Sequence, residues 1–125
     1  MKEFEGKDKL DIIFELQNKF DSDVIKNRSL ENITPEEWIQ KQTLAIISEL
    51  AELLAEVNFK WWKNPKEVDA NNVKEELVDI LHFFVGMCLK SGMTSEELFK
   101  IYLNKNEENF KRQYGTSDKK GYEIQ

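Results

Sequence analysis

The stretch Glu75-Glu76-Leu77-Val78-Asp79-Ile80-Leu81-His82-Phe83-Phe84-Val85-Gly86-Met87-Cys88-Leu89-Lys90 decides the fold. Past its first turn it offers almost no polar surface, so a helix here must be covered on most sides. The run Ile80 to Leu89 is interrupted by His82 and is far too short to span a bilayer. The spacing predicts a central helix from about Asn72 to Lys90, stopped by Gly92 in the left-handed conformation.

Upstream, Thr34-Pro35-Glu36-Glu37 carries a helix start: Thr34 as N-cap, Pro35 at the first helical position, Glu37 to complete a capping box. Ile33 and Trp38 stand at the positions of a hydrophobic staple. The helix is expected to run to about Trp62, with Asn64-Pro65 closing it. It carries an apolar stripe of Leu50, Leu53, Leu54 and Val57 beside an acidic one of Glu49, Glu52 and Glu56. Downstream, Thr94-Ser95-Glu96-Glu97 opens a fourth helix that ends before Gly115. Before all of these, Leu10, Ile13, Phe14, Leu16, Phe20 and Val24 recur at helical spacing to about Lys26. The fold class is therefore all-α, a bundle of four to five helices over residues 1–115, followed by a polar tail, 116–125, expected to be flexible. Three amphipathic neighbours supply little cover for the central helix, which predicts a homodimer.

Composition agrees. The 125 residues contain 5 Gly and 2 Pro, few for a protein built on tight turns. The formal charge of −6 repels a phosphate backbone, so a long nucleic acid is not an expected partner. A phosphorylated small molecule is compatible if cations first neutralise the acidic site. One cysteine, Cys88, forms no internal disulfide, and Met1 to Glu5 carries no apolar signal core. A cytoplasmic protein with no membrane partner is the expectation.

Glu49 and Glu52 are three apart, and so are Glu76 and Asp79 on the central helix. Each pair projects from one helical face. Two readings fit. Either the pairs lie on solvated faces beside lysines such as Lys74, or they face each other and hold a divalent cation. Carboxylate oxygens suit Mg²⁺, with Mn²⁺ as a substitute, whereas zinc prefers His or Cys ligands. His82 follows Asp79 by one turn and reads as a hydrogen-bonded neighbour rather than a ligand.

The run Ser48-Glu-Leu-Ala-Glu-Leu-Leu-Ala-Glu-Val-Asn-Phe-Lys-Trp-Trp-Lys63 resembles the first metal motif of the dimeric, all-α dUTPases, within the MazG-like nucleotide pyrophosphohydrolases. The segment Glu75 to Phe84 is similar to their second motif, and Trp62-Lys63 to their aromatic-lysine element. Lys105-Asn-Glu-Glu-Asn-Phe-Lys-Arg-Gln113 with Gly121-Tyr122 resembles their C-terminal signature, and Leu16-Gln17 their uracil-reading element. One departure stands out: Asp21 occupies a position where some members have Asn.

The resemblance implies Mg²⁺ bound by Glu49, Glu52, Glu76 and Asp79. It implies hydrolysis of dUTP to dUMP and pyrophosphate, water attacking the α-phosphorus, with Glu52 ahead of Glu49 as base. Lys63, Lys105, Asn109 and Arg112 would bind phosphates; Gln17, Trp62, Phe83 and Asn106 would meet base and sugar. The tail would fold over the triphosphate. Hydrolysis of dCTP or of several nucleotides on the same scaffold is one rival. A non-catalytic helical partner protein, its acidic stripe a docking face, is the other.

Overall fold

The computed structural model describes residues 4–125, and among them there are four helices and no strands. These are α1 (Lys9–Asn27), α2 (Pro35–Glu56), α3 (Ala70–Lys90) and α4 (Ser95–Gln113). The chain is all-α, as its periodicity predicts. It divides into two units, one ending at Gly92 and one running from Met93 to Gln125.

In the first unit α3 is the shared element, packing against both α2 and α1. Val85 is 1% exposed, and Phe14 and Cys88 are buried with it. Burying a valine of this kind contributes about 1.5–3 kcal/mol. Burial also pushes the Cys88 thiol above its ordinary range, leaving it a packed apolar group.

The helix ends have local causes. Thr34 Oγ1 accepts from the Glu37 N–H at 3.2 Å, with Pro35 inside the first turn, and Thr94 Oγ1 accepts from the Glu97 N–H at 3.1 Å. Asp8 caps α1 with a full capping box to Asp11, and Asp69 caps α3 by accepting from the Asn71 and Asn72 N–H groups. At the end of α3, Gly92 takes φ +80°, a conformation open to glycine at no steric cost.

One expectation needs correction: α2 stops at Glu56, not near Trp62. Asn58 adopts φ +59°, which an α-helix does not continue through. Its side chain is clasped to the connection, with Nδ2 donating to the Lys66 carbonyl at 2.8 Å and Oδ1 accepting from the Lys66 N–H at 2.9 Å. Glu56 adds an ion pair to Lys66 at 3.5 Å.

The apolar stripe of α2 is also less buried than its pattern implies. Leu50, Leu54 and Val57 are exposed, as are Leu44 and Ile47. On α3, Leu77, Val78, Leu81 and Phe84 are exposed as well. No single helix among the described residues is long and apolar enough to cross a membrane.

In the second unit, residues beyond α4 are tied back to its end. Ser117 is buried and donates to Glu108, the Ile124 N–H donates to the Gln113 carbonyl, and Tyr122 stacks under Arg112.

Candidate active site

Helix α2 brings Glu49 and α3 brings Glu76 and Asp79 to one place, where a carboxylate oxygen from each lies within 4.8 Å of the others. Like charges so close raise the cost of ionisation. Glu76 shows this: its carboxyl is pushed up to about 7, first by a hydrogen bond shared with Glu49, then by desolvation and the charges of Glu52 and Glu49. Glu49 Oε2 and Glu76 Oε2 are shielded from solvent and meet no protein donor among the described residues. An orphaned, all-oxygen, anionic cluster of this kind fits a hard divalent cation. Glu52 is exposed yet close enough to share a hydrogen bond with Glu76.

Beside this cluster opens a pocket of about 610 Å³. Glu49 and Asp79 form part of its wall, so carboxylates and cavity are one continuous site. Apolar lining comes from Phe20, Val24 and Ile25 of α1, Trp38 and Ala45 of α2, and Phe83 of α3. Helical spacing puts them there: Gln17 and Asp21 are one turn apart on α1, and Gln42, Ala45 and Glu49 recur on one face of α2. On α3 the series Asp79, His82, Phe83 and Lys90 does the same.

The polar end is a linked chain. His82 Nδ1 lies 2.6 Å from Gln17 Oε1, and Gln17 Nε2 donates to Asp21 Oδ1 at 2.9 Å. Burial holds the Asp21 carboxyl above the usual range, opposed by the Gln17 hydrogen bond and the charges of Lys90 and His82. Lys90 in turn sits 5.2 Å above the Trp38 ring. Two acceptors are left over: Asp21 Oδ2 and Gln42 Oε1 are shut off from solvent with no donor among the described residues. Each such group costs about 1–3 kcal/mol until something donates to it. A methyl group at Gly86 would stand 2.6 Å from Gln42 Nε2 and 3.1 Å from Asp21 Oδ2, so glycine there lets both side chains lie against α3.

The structure thus brings Glu49, Glu76 and Asp79 together, with Gln17, His82 and Phe83 in the adjoining pocket. Lys63 lies elsewhere in the first unit, in a smaller cavity of about 220 Å³ formed with Phe59, Lys60 and Lys66. Trp62 is largely exposed, edge-on to Phe59 and Trp61. Lys105, Asn106, Asn109 and Arg112 are on α4 in the second unit. Arg112 Nε already donates to Glu108 at 3.1 Å, so binding a phosphate there means exchanging that partner. Gln42, Lys41 and Lys90 line the pocket though none of them is a site candidate by sequence, and so does Trp38, whose sequence reading is only that of a staple residue. The signal for Gln42 was present: it precedes Glu49 by two helical turns, on the same face.

A family model described as dUTPase matches residues 9–94. The dCTP pyrophosphatase of Enterobacteria phage T4 is 34% identical over an alignment covering 61% of this chain and 58% of that protein. The dCTP pyrophosphatase of Enterobacteria phage LZ5 is 35% identical, covering 59% and 43%. A DNA replication protein of phage T4 is 32% identical, covering 55% and 24%. The chain therefore spans between about a quarter and three-fifths of the length of these relatives. No solved structure matches.

Proposed function

The chain belongs to the dUTPase family, and from that premise we propose that it hydrolyses a deoxypyrimidine nucleoside triphosphate to the monophosphate and pyrophosphate. The observation that carries the proposal is the convergence of Glu49, Glu76 and Asp79, with Glu49 and Asp79 also forming part of the wall of a nucleoside-sized pocket. The family match favours dUTP as substrate. The names of two relatives favour dCTP as a second reading. The reaction and the carboxylates are common to both.

Glu49, Glu76 and Asp79 would hold Mg²⁺, with Glu52 beside them; bound there, the ion supplies charge neutralisation for the phosphates. The pocket takes the base and sugar, with Phe83 and Trp38 against the ring faces, which fixes where the triphosphate emerges. The oxygen of a water then attacks the α-phosphorus in line with the α–β bridging oxygen. Glu52 accepts the water's proton, the P–O bond breaks, and pyrophosphate leaves with the bonding pair. Glu52 is the better base because it is exposed to arriving water, whereas Glu49 Oε2 is enclosed.

The exposed leucines and phenylalanine of α2 and α3 suit a second copy of the chain as cover, so the working form is taken to be a homodimer.

Pyrophosphate release from dUTP, dCTP and the purine deoxynucleotides, with and without Mg²⁺, tests the reaction. Glu49→Gln and Asp79→Asn are expected to lower turnover about a hundredfold or more while circular dichroism stays unchanged. Full turnover in both variants, or equal rates with and without Mg²⁺, would remove the assignment. No hydrolysis of any nucleotide, together with no stabilisation by Mg²⁺, would leave a helical interaction protein.

A further inference from the structure

The polar end of the pocket is unbalanced in a way that bears on which base it takes. An ionised carboxylate only accepts, so Asp21 fixes the Gln17 amide with Nε2 toward itself. Oε1 then faces His82, whose Nδ1 must donate. That chain uses up the Gln17 carbonyl inside the protein. What remains is Asp21 Oδ2 and Gln42 Oε1, two enclosed acceptors without donors among the described residues, both on side chains that line the pocket.

Base edges differ in what they offer such a wall. Cytosine carries a 4-amino group with two N–H donors. Uracil carries a carbonyl oxygen at that position and would set its lone pairs against those of a carboxylate. A site built to pair with a donor rejects the analogue lacking it, because its buried polar groups stay unpaired. Burial raises the Asp21 carboxyl, while the Gln17 hydrogen bond and the charges of Lys90 and His82 pull it back toward the ionised, acceptor-only form.

We propose that Asp21, with Gln42 beside it, reads the 4-amino group of a cytosine ring, so that this pocket selects dCTP over dUTP. The proposal rests on the pyrophosphohydrolase reading above for its triphosphate, and on the two orphaned acceptors for its base. The ring lies between Phe83 and Trp38, and its amino edge points to the Asp21 end.

The test compares kcat/KM for dCTP, dUTP and dATP in the wild-type chain and in Asp21→Asn, which keeps the shape and replaces one acceptor with a donor. The wild type is expected to favour dCTP by about tenfold or more. Asp21→Asn is expected to lower dCTP kcat/KM by about tenfold and to raise that of dUTP. Calorimetric titration of the wild type with dCMP and dUMP reads the base preference without any turnover. If no nucleotide is hydrolysed yet dCMP binds about tenfold tighter than dUMP, the hydrolysis reading fails and Asp21 keeps its role. Equal binding of the two monophosphates, no binding of either, preference for dUTP or dATP, or an equal loss on both pyrimidines in Asp21→Asn would overturn the proposal. The wild-type comparison decides the matter even if the variant does not fold.

Discussion

Replacing Gly86 with alanine sets a helix's interest against a pocket's. Inside an ordinary helix that change adds about 0.5–1 kcal/mol, because glycine loses more backbone freedom on folding. Here the added carbon arrives 2.6 Å from Gln42 Nε2, where ordinary contact begins near 3.4 Å, so the amide must retreat by about 0.8 Å. Helix α3 is packed on both α1 and α2 and has little freedom to give way. Gln42 can swing, and the open direction is the pocket it lines. The rotation costs about 0.5–1.5 kcal/mol, similar to the propensity gain. Net stability should change by less than about 1 kcal/mol, which is within about 4 °C in Tm for a chain of this size. Nucleotide affinity should fall about tenfold or more, a loss of at least about 1.4 kcal/mol, because the displaced amide stands where the base sits. Thermal unfolding measures the first quantity and calorimetric titration with a deoxynucleoside monophosphate the second. A Tm raised by several degrees with affinity intact would show that the methyl is accommodated and that the Gln42 placement does not matter.

Other outcomes follow from the same geometry. Glu76 rises from 4.5 to about 7 on folding, so the folded state holds its proton more tightly than the unfolded chain. Its contribution to metal-free stability is fully present below pH 4.5 and is lost as pH rises through 7; Glu76→Gln should flatten that part of the Tm profile. Mg²⁺ competes with that proton, so the Tm gain on adding Mg²⁺ should grow from pH 6 to pH 8, and a pH-independent gain would place the ion elsewhere. Asn58→Ala removes both bonds to Lys66 and leaves alanine at φ +59°, so urea unfolding should show about 1–3 kcal/mol lost; an unmoved midpoint would mean the clasp contributes nothing. Sedimentation of the wild type should give a dimer, and Leu81→Glu, charging the exposed face of α3, should shift it toward monomer; a monomeric wild type would end that reading.

Much of this was legible in the chain because its signals are local. Thr34 and Thr94 announce their helices within four residues, and the pairs at 49/52 and 76/79 fix a helical face by spacing alone. The end of α2 was not legible, since Pro65 is a plain stop while the actual stop is Asn58, whose partner Lys66 lies eight residues on and is joined by a folded loop. Asp8 as the cap of α1 went unread because its partner Asp11 is not the Glu or Gln of the usual box. The pocket needed α1 set against α3 to exist. Gln17, Asp21 and His82 are separated by up to 65 residues, and no periodicity reports that Gln17 spans the other two. Asp21 was visible as a departure from the family pattern, but its meaning came from an oxygen left unpaired.

Three tryptophans sit in contrasting surroundings. Trp61 is 86% exposed and Trp62 63%, whereas Trp38 is half-buried on the pocket wall beneath Lys90. Exciting the indoles therefore gives a red-shifted emission from the loop and a bluer component from the cavity. With phenylalanine at positions 61 and 62, the remaining signal becomes an optical gauge of occupancy, quenched or shifted as a ligand slides past a single ring.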